Sequence, residues 1–222
     1  MARQQPLFQL QPPRIGQVEE QLTDRGMTAI VGVDEAGRGP LAGPVYAAAF
    51  ALELGEESLD QLAGLDDSKK LDGPRRDELY ERLTGGYRPY AIASVGADII
   101  DELNVLQATF RAMKQAVNQV LEKLDSPPDL VLIDGNMSVP GAPWRQRPIV
   151  GGDARSLAIA AASILAKVAR DRFMCRADEQ WPQYGFASHK GYGTPQHRRA
   201  LKEFGPCKLH RRSFSGVLQS PS

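Results

Sequence analysis

The chain of 222 residues is 42% hydrophobic and 24% charged, with 27 Lys and Arg balanced by 27 Asp and Glu. That length supports one substantial core, and no stretch approaches the roughly 18 to 20 apolar residues that cross a bilayer, so a spanning helix is excluded and a cytoplasmic protein is expected. Cys175 and Cys207 stand far apart without a Cys-x-x-Cys or Cys/His cluster, so neither a disulfide framework nor a zinc site is indicated.

Residues 1–27 are rich in Gln, Pro and charge without a sustained period and read as a flexible arm ending in a helical turn. Thr28 to Asp34 (TAIVGVD) reads as a buried strand and Val45 to Leu52 (VYAAAFAL) as a second, and the short Gly/Pro-rich link between them implies antiparallel neighbours. Pro74 to Leu83 predicts a helix with Pro near its first position, followed by a strand over Tyr87 to Val95. From Asn104 to Leu124, Leu106, Phe110, Met113, Val117 and Leu124 fall on one face, so a helix with Asn104 as N-cap is expected, ended by Pro127-Pro128. Asp129 to Ile133 suits a buried parallel strand, closed by the turn residues Asp134-Gly135-Asn136. Ile149-Val150 closes a last strand before Gly151-Gly152-Asp153, Ser156 to Phe173 predicts an Ala-rich helix, and a further helical stretch lies near Gln196 to Phe204.

The zero net charge conceals an asymmetry. Residues 1–140 hold 13 Lys and Arg against 22 Asp and Glu, whereas residues 141–222 hold 14 against 5. A basic C-terminal third is either a solvated face or a surface for a polyanion. In the acidic part, a strand ending in adjacent Asp34 and Glu35 is unusual, because alternation sends the two to opposite faces unless the backbone turns, and Gly37 and Gly39 permit a turn. If the strands at residues 28 and 129 run side by side and parallel, Asp34 and Asp134 meet at one sheet edge, where α/β sites gather. Asp153 can join them. Each also has a plain structural use: Asp153 as a helix cap, Asp134 as a turn residue, Asp34 and Glu35 as a strand end. Crowded carboxylates repel, and hard divalent cations such as Mg²⁺ or Mn²⁺ relieve that repulsion. Two such ions support phosphodiester hydrolysis, which points to a nuclease whose basic third holds phosphate.

The segment Val31 to Val45 (VGVDEAGRGPLAGPV) closely resembles the signature of type II ribonuclease H from bacteria. Further blocks follow in register: Asp67 to Leu71 (DSKKL), Asp101 to Phe110 (DELNVLQATF), Leu132 to Asn136 (LIDGN), Gly152 to Arg172 (GDARSLAIAAASILAKVARDR), Tyr184 to Thr194 (YGFASHKGYGT) and His210 to Phe214 (HRRSF). The resemblance runs from about residue 28 to 217. It implies an α/β, ribonuclease H-like fold: a mixed five-stranded sheet flanked by helices, with a helical C-terminal extension, in a single catalytic domain over residues 28–217 and a tail at 218–222.

Carried over residue by residue, the resemblance implies Asp34, Glu35, Asp134 and Asp153 as catalytic and metal-binding acids, with Mn²⁺ or Mg²⁺ as cofactor. It implies that Gly37, Arg38 and Gly39 recognise the 2′-hydroxyl at an RNA–DNA junction, where a backbone without Cβ approaches the sugar closely. Tyr192 corresponds to a tyrosine that packs on the neighbouring deoxyribose, and Lys69, Arg155 and Lys190 to phosphate contacts. Gly151 departs from the pattern, since many members carry Lys before the Gly-Asp. Arg38, where type III enzymes carry Lys, favours type II. The expected activity is hydrolysis of RNA in RNA–DNA hybrids and of single ribonucleotides within duplex DNA, by a monomer. A resolvase- or exonuclease-like nuclease and a non-catalytic hybrid-binding module are the competing readings.

Overall fold

A computed structural model describes residues 14–55, 62, 64, 65 and 71–218. Lys69, residues 1–13 of the expected arm and residues 219–222 of the expected tail lie outside it. Five strands, β1 (Ala29–Ala36), β2 (Val45–Glu53), β3 (Tyr90–Val95), β4 (Leu130–Asp134) and β5 (Gln146–Ile149), form one sheet in the order β3-β2-β1-β4-β5. β1 pairs antiparallel with β2 and β2 with β3, while β4 runs parallel to both β1 and β5. The sheet is therefore mixed, as expected, and β1 lies where the pairing changes sense. Seven helices accompany it among the described residues: α1 (Gln17–Thr23), α2 (Gly73–Gly85), α3 (Ala97–Leu103), α4 (Val105–Leu121), α5 (Leu157–Gln180), α6 (Phe186–His189) and α7 (Pro195–Phe204).

Both faces of the sheet are covered, which explains why β1 and β4 read as continuous apolar runs. Ile30, Leu130 and Leu132 face α5, whereas Val31, Val33, Val131 and Ile133 face α4. The α4 helix buries Ala108, Ala112, Ala116, Val117 and Val120, and Asn104 caps it by accepting from the Leu106 and Gln107 amides. The α5 helix is alanine-rich (Ala158, Ala160, Ala161, Ala162 and Ala166, all 0% exposed), so its backbone lies close to the sheet. Ser156 is its N-cap, accepting from the Ile159 amide. The last part of the stretch expected as an arm holds α1, whose Val18 and Leu22 join the α5-side core.

The local differences have physical causes. The α4 helix stops at Leu121 rather than Leu124, because the Lys123 and Leu124 amides bond three residues back and tighten the turn. β5 covers Gln146–Ile149, and Val150 is exposed. Pro148 is tolerated because β5 is the sheet edge and needs no further donor. α3 was not foreseen: it is 7 residues long and starts at Gly96 without a capping side chain. Among the described residues no helix is long and apolar enough to cross a membrane.

Candidate active site

The parallel pairing of β1 with β4 sets Val33 beside Ile133, so the next residues, Asp34 and Asp134, share the carboxyl edge and the α5 face. Asp153 reaches the same place from a 3₁₀ turn, Gly152–Ala154, entered through Gly151 at φ 62°. One carboxylate oxygen from each of Asp34, Asp134 and Asp153 lies within 4.8 Å of the others. The Gly152 amide donates to Asp134 Oδ1 at 2.7 Å, which ties the Asp153 turn to the end of β4. A Cβ on Gly152 would stand 2.5 Å from the Ile159 side chain and 3.1 Å from that same Asp134 oxygen, so only glycine permits the approach. Asp153 does not cap α5, because the turn interposes itself and Ser156 takes that role.

Asp34 is 5% exposed. Burial first, then the charges of Glu35 and Asp134, hold its carboxyl well above the usual carboxylate range, against hydrogen bonds from the Ser163 hydroxyl and the Glu35 amide. A cluster of oxygen donors with Asp34 and Asp153 buried and Asp134 half-buried fits a hard divalent cation, whose charge would favour the ionised form of Asp34. β1 runs on to Ala36 without turning at Asp34, so Glu35 points to the α4 face. There it lines a shallow cleft with Arg38, Asp134 and Asn136, and Arg38 Nη1 donates to its carboxylate at 3.4 Å. The structure thus clusters three of the four expected acids, with Glu35 beside them across the sheet edge.

Past β1 the chain enters the Gly37-Arg38-Gly39 loop. Gly37 has φ 93°, and a Cβ there would lie 1.9 Å from Arg170 Nε, so the position requires glycine twice over. Tyr192 is 46% exposed and its ring lies 3.8 Å from where a Cβ on Gly39 would be, which sets the two expected sugar-reading elements side by side. The Leu41 amide donates to the Gly191 carbonyl at 2.9 Å, joining the two loops.

Behind Tyr192 all three histidines of the chain pack together. The Cys207 amide donates to His210 Nδ1 (2.9 Å), so His210 Nε2 carries the proton given to His197 Nε2 (3.0 Å), and His197 Nδ1 donates to the Tyr192 carbonyl (2.9 Å). His189 stacks on His197 with ring centroids 4.5 Å apart. Burial, then the neighbouring His197, push His210 down to about 4, and this relay is neutral at ordinary pH.

The expected phosphate contacts are less assembled. Lys190 sits in the left-handed region at φ 52°, and its ammonium bonds the Ala187 carbonyl; Arg155 Nη1 turns to the Val150 carbonyl at 3.5 Å. The basic C-terminal third is not all surface, since Arg170 and Arg211 are 1% and 0% exposed. Both were missed, along with Ser163 on Asp34 and the Gly152 amide on Asp134. Ser163 left one signal, a lone hydroxyl in an otherwise buried alanine face.

The family model for Ribonuclease HII matches residues 31–217. The chain is 46% identical over 211 residues to the Ribonuclease HII of Geotalea daltonii, covering 95% of this chain and 94% of that one. Among solved structures it resembles the ribonuclease H2 of Pyrococcus horikoshii OT3, with a TM-score of 0.69 and 26% identity over 85% of this chain and 95% of that one. It also resembles the RNase HII solved in a PCNA:RNase HII complex from Archaeoglobus fulgidus, with a TM-score of 0.67 and 27% identity over 87% and 97% of the two chains.

Proposed function

The chain belongs to the ribonuclease HII family, and on that premise we propose that it cuts duplex DNA on the 5′ side of embedded ribonucleotides as well as the RNA strand of RNA–DNA hybrids. It is an endonucleolytic ribonuclease H and uses a divalent cation. The observation that carries the reading is the convergence of Asp34, Asp134 and Asp153 within 4.8 Å, next to a glycine-flanked arginine loop.

Asp34, Asp134 and Asp153 would hold the cation, with Glu35 completing the set from the opposite face of β1. A divalent cation bound there, Mg²⁺ or Mn²⁺ and as a pair in our reading, supplies charge that favours ionisation of an attacking water and offsets charge on the departing 3′-oxygen. The water oxygen bonds to phosphorus as the bond to the 3′-oxygen breaks, leaving a 3′-hydroxyl and a 5′-phosphate. The chain's own contribution is position. Ser163 and the Glu35 amide fix the Asp34 carboxylate, and the Gly152 amide fixes Asp134. The main chain of Gly37, Arg38 and Gly39 reads the 2′-hydroxyl, and the Tyr192 ring takes the adjacent deoxyribose, where a second hydroxyl would be crowded out. Lys69, Arg155 and Lys190 engage phosphates, Arg155 and Lys190 by exchanging a carbonyl partner for a phosphate oxygen.

The deciding substrate is a DNA duplex carrying one ribonucleotide, incubated with Mn²⁺ or Mg²⁺ and, separately, with a chelator. One cut 5′ of the ribonucleotide, absent with chelator and absent from the all-DNA duplex, is expected. Equal cutting of the all-DNA duplex would favour the resolvase-like reading. The relative from Archaeoglobus fulgidus was solved with PCNA. Recruitment by a replication clamp is the corresponding proposal for this chain, tested by co-elution with the clamp of its own source.

A further inference from the structure

The two largest fully buried side chains among the described residues are arginines, Arg170 and Arg211. Burying a cation without a carboxylate is costly, and the cost is borne only where the charge is surrounded by good acceptors. Every hydrogen bond given by these two guanidiniums ends on a main-chain carbonyl, and all but one of those carbonyls belong to the loop between β1 and β2. Arg211 donates to Gly37 (2.5 Å), Arg38 (2.8 Å) and Gly43 (3.0 Å). Arg170 donates to Ala42 (3.2 Å), Pro44 (3.2 Å) and, in the facing loop, Lys190 (3.0 Å). Burial lowers both, and Arg170 adds to the depression of Arg211, to about 9, so Arg211 remains charged at neutral pH.

The direction of those bonds matters. A trans peptide is planar, so its C=O and the following N–H point opposite ways. With the Gly37 and Arg38 carbonyls drawn inward to Arg211, the amides of Arg38 and Gly39 are turned outward, at two exposed residues of which Gly39 lies beside Tyr192. Arg170 passes directly over Gly37 and spans the loop to Lys190, which fixes the separation between the glycine loop and the tyrosine loop. Only a guanidinium does this, since its planar fork serves several carbonyls at once, whereas an ammonium is a single point donor.

We propose that Arg170 and Arg211 are positioning residues for ribose recognition: a buried cationic clamp that pulls in the loop carbonyls and thereby aims the Arg38 and Gly39 amides at the 2′-hydroxyl. This rests on the junction-cutting reading above. The clamp does not touch the acids, so its loss separates sugar selection from hydrolysis.

Arg211→Lys keeps the charge and loses the fork. Its kcat/KM on a duplex with a single ribonucleotide is expected to fall about tenfold to a hundredfold, as misplacement of a contact by an ångström does. Cleavage of a continuous RNA–DNA hybrid, where any 2′-hydroxyl serves, should fall far less, and Mn²⁺ binding measured by calorimetry should not change. Arg170→Lys shifts the same ratio in the same direction and carries the test if Arg211→Lys does not fold. An unchanged ratio in folded variants, with both substrates losing equally or neither losing, overturns the clamp. Wild-type protein that ignores the single ribonucleotide overturns the junction-cutting reading itself, a result visible before any variant is made.

Discussion

Gly32 of β1 lies directly under the backbone of Ala158 in α5: a Cβ on Gly32 would come within 2.2 Å of the Ala158 carbonyl carbon and 2.4 Å of the Ile159 nitrogen. Neither neighbour is a flexible side-chain end, so Gly32→Ala must push the helix off the sheet. Overpacking of this kind costs about 1–3 kcal/mol or more. Because α5 also carries Ser163 to Asp34, activity should fall with stability. The urea midpoint and the hybrid-cleavage rate check both, and an unchanged midpoint contradicts the packing.

Asp34→Asn should abolish cleavage and raise the melting temperature of the metal-free protein at neutral pH. The carboxyl is held high by burial, then by Glu35 and Asp134. A group raised on folding contributes stability that is whole below its unfolded value, about 3.9, and lost as pH rises through its folded value. Relative to Asp34→Asn, the metal-free wild type therefore loses stability from acid toward neutral pH. A divalent cation should restore it, by about 2.7 kcal/mol at a hundredfold its Kd. Thermal melts with and without Mn²⁺ read the effect, and a variant less stable than the metal-free wild type would refute it.

The histidine relay titrates with the opposite sign. His210 is depressed to about 4, so its contribution is present above the unfolded value near 6.5 and lost as pH falls toward 4. His197 is also lowered, by burial first, and adds to the same trend. Urea unfolding of an Asp34→Asn, Glu19→Gln double variant, where both raised carboxyls are gone, should show this loss between pH 6.5 and 4. His210→Gln on that background should flatten it.

Glu19 reaches from α1 to the start of α5, accepting from Ser156 Oγ at 2.6 Å and the Ala158 amide at 3.2 Å while fully buried. Burial raises its carboxyl, and the hydrogen bonds oppose the rise. Glu19→Ala leaves those donors without a partner and should cost about 1–3 kcal/mol. Glu19→Gln keeps an acceptor without the ionisation, so at pH 8 it should match or exceed wild type. Denaturation at that pH separates the two variants.

Much of the framework was legible because it depends on local pattern: Asn104 as a cap, the apolar runs of β1, β2 and β4, and the parallel alignment that brings Asp34 to Asp134. What was illegible depends on partners remote in the chain. Charge counting treats every arginine as a surface group, and nothing local marks Arg211 as a donor to carbonyls some 170 residues away, at Gly37 and Arg38. For Asp153 the sequence left a helix cap open beside the acidic site, and what excludes the cap is the intervening 3₁₀ turn, entered through Gly151 in a left-handed conformation that composition does not reveal. Pro148 disguised β5, since proline is compatible with a strand only at a sheet edge, and edge position is a property of the whole sheet.

The pairing of β1 with β4 also bears on how the molecule folds. Its outer end is stitched by Asp129 accepting from the Thr28 amide, 101 residues earlier in the chain, with β2, α2, β3, α3 and α4 between the two strands. Such non-local closures form slowly compared with helices and hairpins. The edge where Asp34 meets Asp134 is therefore expected to assemble after the local helices and hairpins. If Asp34 and Asp134 hold the cation as proposed, its affinity should develop only with this closure, so the onset of Mn²⁺ binding during refolding would time the completion of the fold.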